Sequence, residues 1–300
     1  MILTVTLNAA LDVTYQVPAV DWDGVNRVRA VHRRAGGKGV NVARVLAALG
    51  QEVLVTGLAG GPTGEAIAAD LRASGLTDAL VPVSGDSRTT LVVSEPGRTA
   101  LFNEPGPTVT PDEIGDFLNR YGELLREAGA VVISGSLPQG VPADFYATLA
   151  HLAHDRGVPA IVDADGEPLR HAPKGRPAVV KPNAEELARA VPGGTALEGA
   201  AELRSQGAEA VVVSMGADGL LAVTPEGAFR AGMPYRVEGN PTGAGDSLVA
   251  GLALGLVEGT PWPARLARAA ALGAAAVAAP VAGDFDRDVY ADIHPKIVIS

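Results

Sequence analysis

Cysteine is absent from the 300-residue chain, which excludes disulfides, thiolate nucleophiles and cysteine-bound zinc and suits a reducing compartment, so a cytoplasmic location is expected. Met1–Leu7 opens at once as a strand-like apolar run with no basic region or cleavage site, and predicts no signal peptide. The longest uncharged C-terminal stretch, Ala269–Gly283, contains Gly273 and Pro280. It is shorter than the roughly 18 apolar residues of a membrane span, so it reads as a buried helix with no membrane partner. Surplus positive charge is lacking too: 24 Lys and Arg against 34 Asp and Glu leave a net charge of −10. That balance argues against a nucleic-acid partner and requires a local basic site for any anionic substrate. Five histidines form no metal site, because His151 and His154 share a helix face without a third ligand near in sequence. No Gly-x-Ser-x-Gly elbow occurs, and Ser134, Ser136 and Ser214 read as loop residues. Repeats, low-complexity tracts and linkers are missing as well, which leaves a single domain over 1–300 with an appendage.

What is present is a core. Hydrophobic residues make up 47% of the chain and charged ones 19%, enough to bury a sizeable interior. Mostly continuous apolar runs at Ile2–Leu7, Glu52–Gly57, Ala130–Ser134, Pro159–Asp163, Ala178–Lys181 and Ala210–Met215 predict strands buried on both faces. Segments of helical period separate them at Val40–Leu49, Gly64–Ser74, Pro111–Glu127, Pro142–Arg156 and Thr195–Gln206, with further helices at Asp246–Glu258 and Pro263–Ala279. The alternation predicts a three-layer α/β fold, a mostly parallel central sheet flanked by helices. Two segments, about 13–34 and 88–104, break the rhythm with short β-branched runs. They are expected to form a small β-sheet that acts as a lid over a site, or pairs with another subunit's lid in a homodimer; an ordinary edge hairpin is the plainer reading.

The sharpest chemical signal is Gly243-Ala-Gly-Asp246-Ser before the apolar helical run Leu248–Val257. A tight turn of Gly243, Ala244 and Gly245 into a helix leaves backbone N–H groups pointing outward, a cradle for a phosphoryl group whose charge is growing. Asp246 stands where it would accept a proton, although Asp is also a preferred N-cap. A second cluster, Gly36-Gly-Lys-Gly-Val-Asn41, opens the helix at Val40. Gly39 replaces the Ser or Thr of a P-loop, so Lys38 and Asn41 are read as contacts to a polyhydroxylated ligand, or the cluster as a tightly packed helix start. Arg27, Arg29, Arg33, Arg34 and Lys38 crowd twelve residues of an acidic protein. Alternation sets Arg27, Arg29 and Arg33 on one strand face, and guanidinium groups suit a substrate that already carries phosphate. For Arg29, Arg33 and Arg34 a solvated edge strand is the preferred reading. Asp12 follows the first strand, where open α/β sheets bind ligands. Lys181-Pro-Asn183-Ala-Glu-Glu186 has the same placement, and Asn183 with Glu186 would orient a hydrated Mg²⁺, unless Glu186 simply faces solvent on a helix.

Taken together, the motifs resemble the ribokinase-type (phosphofructokinase-B) sugar kinases, within them the branch of tagatose-6-phosphate kinases and 1-phosphofructokinases. Six ordered motifs carry the likeness: Thr4–Asp12, Asp23-Gly-Val-Asn-Arg27-Val, Ala35-Gly-Gly-Lys-Gly39-x-Asn41-Val, Ser134-Gly-Ser136-Leu-Pro-x-Gly140, Lys181-Pro-Asn183-x-x-Glu186 and Asn240-Pro-Thr-Gly-Ala-Gly-Asp246-Ser. The resemblance implies Asp246 as catalytic base with the amides of Gly243, Ala244 and Gly245 as anion hole. It implies Asp12, Gly37, Lys38, Asn41 and Ser136 around the sugar, and Arg27 with Arg88 near its phosphate. Nucleotide contacts are implied for Lys181, Asn183, Ser214, Gly216 and Gly219, and Mg²⁺ placement for Glu186. Asn240-Pro241 looks like the tagatose-6-phosphate kinase version, whereas Asn103-Glu-Pro-Gly-Pro107 is closer to the 1-phosphofructokinases. The expected reaction is ATP-dependent phosphorylation of tagatose 6-phosphate or fructose 6-phosphate to the 1,6-bisphosphate. Fructose 1-phosphate as acceptor and a catalytically silent sugar-phosphate sensor are the alternatives, and a Rossmann oxidoreductase is disfavoured by the missing glycine fingerprint.

Overall fold

Strands of unbroken Val, Ile and Ala need cover on both faces, and the computed structural model, which describes residues 1–300, provides it with helices above and below one large sheet. In chain order come β1 (Ile2–Thr6), β2 (Ala10–Gln16), β3 (Ala30–Gly36), α1 (Lys38–Ala48), β4 (Val53–Ala59), α2 (Gly61–Ala73) and β5 (Thr77–Pro82). After the hairpin of β6 (Arg88–Glu95) and β7 (Arg98–Asn103), the alternation resumes with α3 (Pro111–Leu124), β8 (Ala130–Ser134), α4 (Phe145–His154) and β9 (Ala160–Asp163). The short α5 (Gly166–His171), β10 (Val179–Val180) and α6 (Ala184–Ala190) lead to α7 (Ala196–Ser205) and β11 (Ala210–Ser214). Next are β12 (Leu220–Thr224), β13 (Gly227–Gly232), α8 (Ala244–Val257), α9 (Trp262–Val277), α10 (Arg287–Ile293) and β14 (Val298–Ile299).

The large sheet runs β14-β13-β12-β11-β10-β9-β8-β1-β4-β5, parallel from β11 to β5 and antiparallel through β12, β13 and β14. Successive side chains point to opposite faces. Leu3, Val5, Val131 and Ile133 therefore pack on Phe117 and Tyr121 of α3 and Leu149 of α4, while Ile2, Val132 and Ile161 meet α1, α8 and α9. Helix α8 is apolar nearly all round and is correspondingly buried from Asp246 to Gly255. Helix α3 begins where it does because Thr110 and Glu113 cap each other reciprocally, satisfying first-turn N–H groups. No helix is long and apolar enough to cross a membrane.

The separate small sheet has the order β3-β2-β6-β7. It differs from the expected segment in one respect that matters for the arginines. Residues 17–29 form no strand, because Asn26 closes a loop on Asp21: its Oδ1 accepts from the Asp21 N–H at 2.8 Å and its Nδ2 donates to the Asp21 carbonyl at 2.7 Å. The chain rejoins β2 only where Arg29 N–H donates to the Gln16 carbonyl. Arg27 and Arg29 thus lie outside β3, and the reading of Arg27, Arg29 and Arg33 on one strand face is corrected.

Candidate active site

From β1 the parallel sheet grows one way through β4 and β5, and from its neighbour β8 it grows the other way through β9, β10 and β11. Such a switch point opens a crevice outside the carboxyl ends of the strands, where open α/β sheets take their ligands. Asn8 lies just beyond β1, Ser136 just beyond β8, Asp163 ends β9, Lys181 follows β10 and Ser214 ends β11. The topology gathers there what the sequence scatters over more than 200 residues.

Gly243 precedes α8 with φ 85°, a left-handed conformation that glycine adopts without strain, and a Cβ there would lie 2.9 Å from Ala282. The N–H groups of Gly243, Gly245 and Asp246 have no partner within the chain, while that of Ala244 donates to the Pro241 carbonyl at 3.1 Å. This corrects the expected anion hole: Ala244 is closed off in its turn, and the amide of Asp246 itself is the third free donor. Asp246 is not an N-cap but the third helical residue, buried, with its Oδ2 accepting from Asn41 Nδ2 at 2.8 Å. Burial, then the nearby Asp163 carboxylate, push its carboxyl up to about 7, against the pull of Asn41, Lys38 and Lys181. A carboxylate poised there is half-loaded at neutral pH, which suits a general base.

Beside Asp246 stands a charged cluster that the motif reading left incomplete. Asp163, 1% exposed, holds Lys38 Nζ at 3.2 Å and Lys181 Nζ at 3.5 Å on its Oδ1, and Glu186 Oε1 is 3.9 Å from Lys38. Burial works to raise the Asp163 carboxyl, but Lys181 and Lys38 outweigh it and hold it below its ordinary value. Burial likewise works to lower the Lys38 ammonium, and Asp163, Glu186 and Asp246 more than reverse it, so Lys38 stays charged. Sequence reasoning missed Asp163. The signal was there in Val162-Asp163-Ala164-Asp165: a lone carboxylate closing an apolar strand at the sheet's binding edge.

On the side where the resemblance puts the sugar, Gly37, Lys38, Arg88 and Ser136 line a cleft of about 460 Å³ together with Asn8 and Asn103. Asn8 joins its walls, donating through Nδ2 to Ser136 Oγ and to the Pro105 carbonyl, each at 3.1 Å. Arg88 Nε donates to the Asn8 carbonyl at 3.0 Å and its Nη1 to Thr90 Oγ1 at 3.4 Å, which leaves Nη2 without a partner in the chain. Asp12 leans over Gly36, where a Cβ would come within 2.0 Å of its carboxylate oxygen, so any side chain at Gly36 would displace that carboxylate. Burial raises the Asp12 carboxyl, opposed by the Thr90 hydroxyl and by Arg88, Arg34 and Arg44. Arg27 is not brought here: it is exposed, has no hydrogen bond or ion pair, and lines neither this cleft nor the one beside α8.

The second cleft, about 620 Å³, runs along α8 and α9 and is lined by Asn183, Ser214, Gly216 and Gly219, with Gly245 at its inner end and Ala274 and Val277 along its apolar wall. Gly219 has φ 85°, and a Cβ there would strike the Ala231 carbonyl at 1.9 Å. Lys181 is buried beneath this cleft rather than in its wall, its Nζ 3.7 Å from where a Gly245 Cβ would be. Asn183 and Glu186 cap each other across α6: Asn183 Oδ1 accepts from the Glu186 N–H and Glu186 Oε2 from the Asn183 N–H, both at 2.8 Å. Glu186 is buried, not on a helix surface. No three acidic or histidine side chains converge as a metal cage. Glu186 Oε1 and Asp163 Oδ2, a buried oxygen with no partner, remain available, and two carboxylate oxygens fit a magnesium ion that keeps most of its waters.

Residues 5–286 match the description "pfkB family carbohydrate kinase". Among solved structures, phosphofructokinase-2 from Escherichia coli in complex with fructose-6-phosphate has a TM-score of 0.86 at 31% identity, over 97% of this chain and 98% of that one. The same enzyme in its tetrameric inhibited form gives 0.90 at 32% identity, over 98% of each chain. A Thermotoga maritima protein described as a possible 1-phosphofructokinase gives 0.88 at 27% identity, over 100% and 98%. Arabidopsis thaliana ribokinase, at 21% identity and a TM-score of 0.75 over 98% of each chain, shares the fold.

Proposed function

The chain belongs to the pfkB family of carbohydrate kinases, and from that premise we propose that it moves the γ-phosphoryl group of ATP onto fructose 6-phosphate or tagatose 6-phosphate, giving the 1,6-bisphosphate. The observation that carries the reading is Asp246: a buried carboxylate pushed up to about 7, beside three unpaired amides, next in sequence to Gly245 of the longer cleft and within the field of Lys38, which lines the sugar-sized one. ATP lies along α8 and α9 with its phosphates toward Gly245, and the acceptor sugar sits over Gly37 and Lys38 with its own phosphate at Arg88. Asp246 takes the proton of the primary hydroxyl as that oxygen bonds to the γ-phosphorus and the bond to the bridging oxygen breaks, the electron pair leaving with ADP. Amides of Gly243, Gly245 and Asp246 and the Lys38 ammonium receive the charge that develops on the transferring group. Mg²⁺, when bound with the nucleotide, neutralises phosphate charge, and Glu186 and Asp163 are the side chains that would hold its waters. A chain without cysteine suits the reducing cytoplasm.

An ADP-release assay across fructose 6-phosphate, tagatose 6-phosphate and fructose 1-phosphate, with free fructose and adenosine as controls, tests the reading. Turnover of a ketohexose phosphate is expected, and turnover of adenosine or free sugar alone overturns it. Fructose 1-phosphate is the second reading, supported by the Asn103–Pro107 sequence and the Thermotoga likeness. Replacing Arg88 by alanine should raise KM for the sugar phosphate by about 10- to 100-fold, the worth of one or two charge-assisted bonds, with KM for ATP little changed.

The small sheet acts in this reading as a lid, since its Arg88 and Asn103 line the sugar cleft. Its other face carries the exposed Val31 and Phe102, and Trp22 and Val25 of the loop 17–29 are exposed as well, apolar surface that suits pairing with a second copy. Sedimentation at micromolar concentration should show a dimer that Phe102→Asp converts to monomer; a parent that sediments as a monomer refutes the pairing.

A further inference from the structure

The edge-strand reading left Arg34 as a solvated charge, and the structure gives it a different place. Arg34 stands on β3 directly opposite Asp12 of β2, four residues before Lys38. Its Nη1 donates to the Ala282 carbonyl at 3.1 Å and its Nη2 to Asp284 Oδ1 at 2.8 Å, across some 250 residues of chain. The loop it grips touches the phosphoryl end of the site at two points. Ala282 packs on Gly243, with 2.9 Å between its Cβ and where a Gly243 Cβ would be. Gly283, at φ 81°, packs on Asn41, whose Oδ1 is 3.1 Å and Cα 3.2 Å from the corresponding point. Asn41 in turn donates to Asp246.

We propose that Arg34 is a positioning residue, which couples the small sheet to the catalytic base and the free amides of α8 through the loop 281–284. The strand root beside it is pinned from the other side: the Ala35 N–H donates to Asp70 Oδ2 at 2.8 Å, and Arg44 Nη2 donates to the Ala35 carbonyl at 3.2 Å and to Asp70 Oδ2 at 2.7 Å. A backbone held at residue 35 transmits the strand's tilt to the guanidinium instead of absorbing it. Movement of β3 as the small sheet meets the sugar is then passed to Ala282 and Gly283, which set Gly243 and Asn41. Sub-ångström settings of this kind weigh heavily on transfer rates, since displacement of a reacting group by about 1 Å costs on the order of 100-fold. The pair of Arg34 with Asp284 is half-exposed, at 30% and 47% of the two side chains, and pairs so placed add little to folding, so its removal leaves the fold standing.

The kinetic part of the test rests on the kinase reading above; the exchange part does not. Arg34→Ala is expected to lower kcat by about 10- to 100-fold, with KM for sugar phosphate and ATP each within about threefold of the parent. Arg34→Lys, which keeps the charge near Asp12 and Arg44 but not the two-pronged grip, should recover part of the loss. Asp284→Asn should lower kcat less, and its loss should not multiply with that of Arg34→Ala, because both cut one path. In the ligand-free protein, deuterium exchange should quicken in peptides spanning 240–248 and 279–286 in Arg34→Ala while the melting temperature stays near the parent's. A parental kcat in Arg34→Ala, independent multiplying losses, or unchanged exchange in both peptides overturns the coupling. Should no sugar phosphate be turned over by the parent, the kinase reading falls, and the exchange result still decides whether Arg34 holds the loop.

Discussion

Replacing Asp246 by asparagine should lower kcat by about 10²- to 10⁴-fold, the span that positioned general bases contribute, while binding of sugar phosphate and nucleotide stays close to the parent's. The shape is kept, Asn41 still finds an acceptor, and the free amides of Gly243 and Gly245 are untouched. Only the proton acceptor is lost. With the parental carboxyl pushed up to about 7 by burial and by Asp163, kcat/KM should fall about tenfold per unit as pH drops below 7. In Asp246→Asn this acid limb should vanish. Stability should move the other way. An unfolded Asp titrates near 4 and the folded one near 7, so between those values the folded state holds a proton that the unfolded state has released, and stability falls as pH rises. Asp246→Asn is free of that term, so it should melt above the parent at pH 8, with the gain shrinking toward pH 4. A variant that makes bisphosphate at the parental rate would refute the assignment of the base.

Reading the sequence worked best where one physical rule dominated locally. Unbroken apolar strands such as Ala130–Ser134 and Ala210–Ser214 declare burial on both faces, and the parallel sheet follows from their alternation with helices. The turn of Gly243 into α8 was legible because a helix after glycine leaves free amides wherever it sits. What escaped was whatever depends on contacts between distant segments. Helices α5 and α6 span six and seven residues, too short for a period to register. Strands β12 and β13 form a hairpin around Pro225-Glu226, and the continuous-run criterion stopped at β11. Asp163 belongs to no glycine-rich motif, and its role appears only when β9 lies beside β10 and opposite α1. Arg27 and Arg34 show the converse error. Strand alternation sets Arg27 on a ligand face and the edge-strand reading leaves Arg34 in solvent; the Asp21–Asn26 loop carries the first away from the cleft, and the loop 281–284 draws the second in.

Neutralising Asp163 should have the second-largest effect, on stability as well as on turnover. Its carboxylate is the shared counter-ion of Lys38 and of Lys181, whose side chain is only 4% exposed. Asp163→Asn leaves that ammonium buried without its partner, and breaking a buried pair from one side costs about 3–5 kcal/mol. The folded Asp163 carboxyl lies below its ordinary value, so its stabilisation is fully present above about pH 4 and is lost as pH falls through the folded value. The gap between parent and variant in urea unfolding should therefore be wide at pH 7 and close in acid. The pH profile of turnover should respond with a sign of its own. Asp163 repels the Asp246 carboxylate, and without it Lys38 and Lys181 act on Asp246 alone, so the acid limb that starts near 7 should move to lower pH even as kcat falls. A generic loss of packing would lower kcat without moving that limb. Adding Lys181→Met to Asp163→Asn removes the stranded charge and should recover much of the stability. It should recover none of the turnover, because in the proposed mechanism the two lysines and their carboxylate act as a unit beside the transferring phosphoryl group. If the double variant proves no more stable than Asp163→Asn alone, the buried charge is not what the single change exposes.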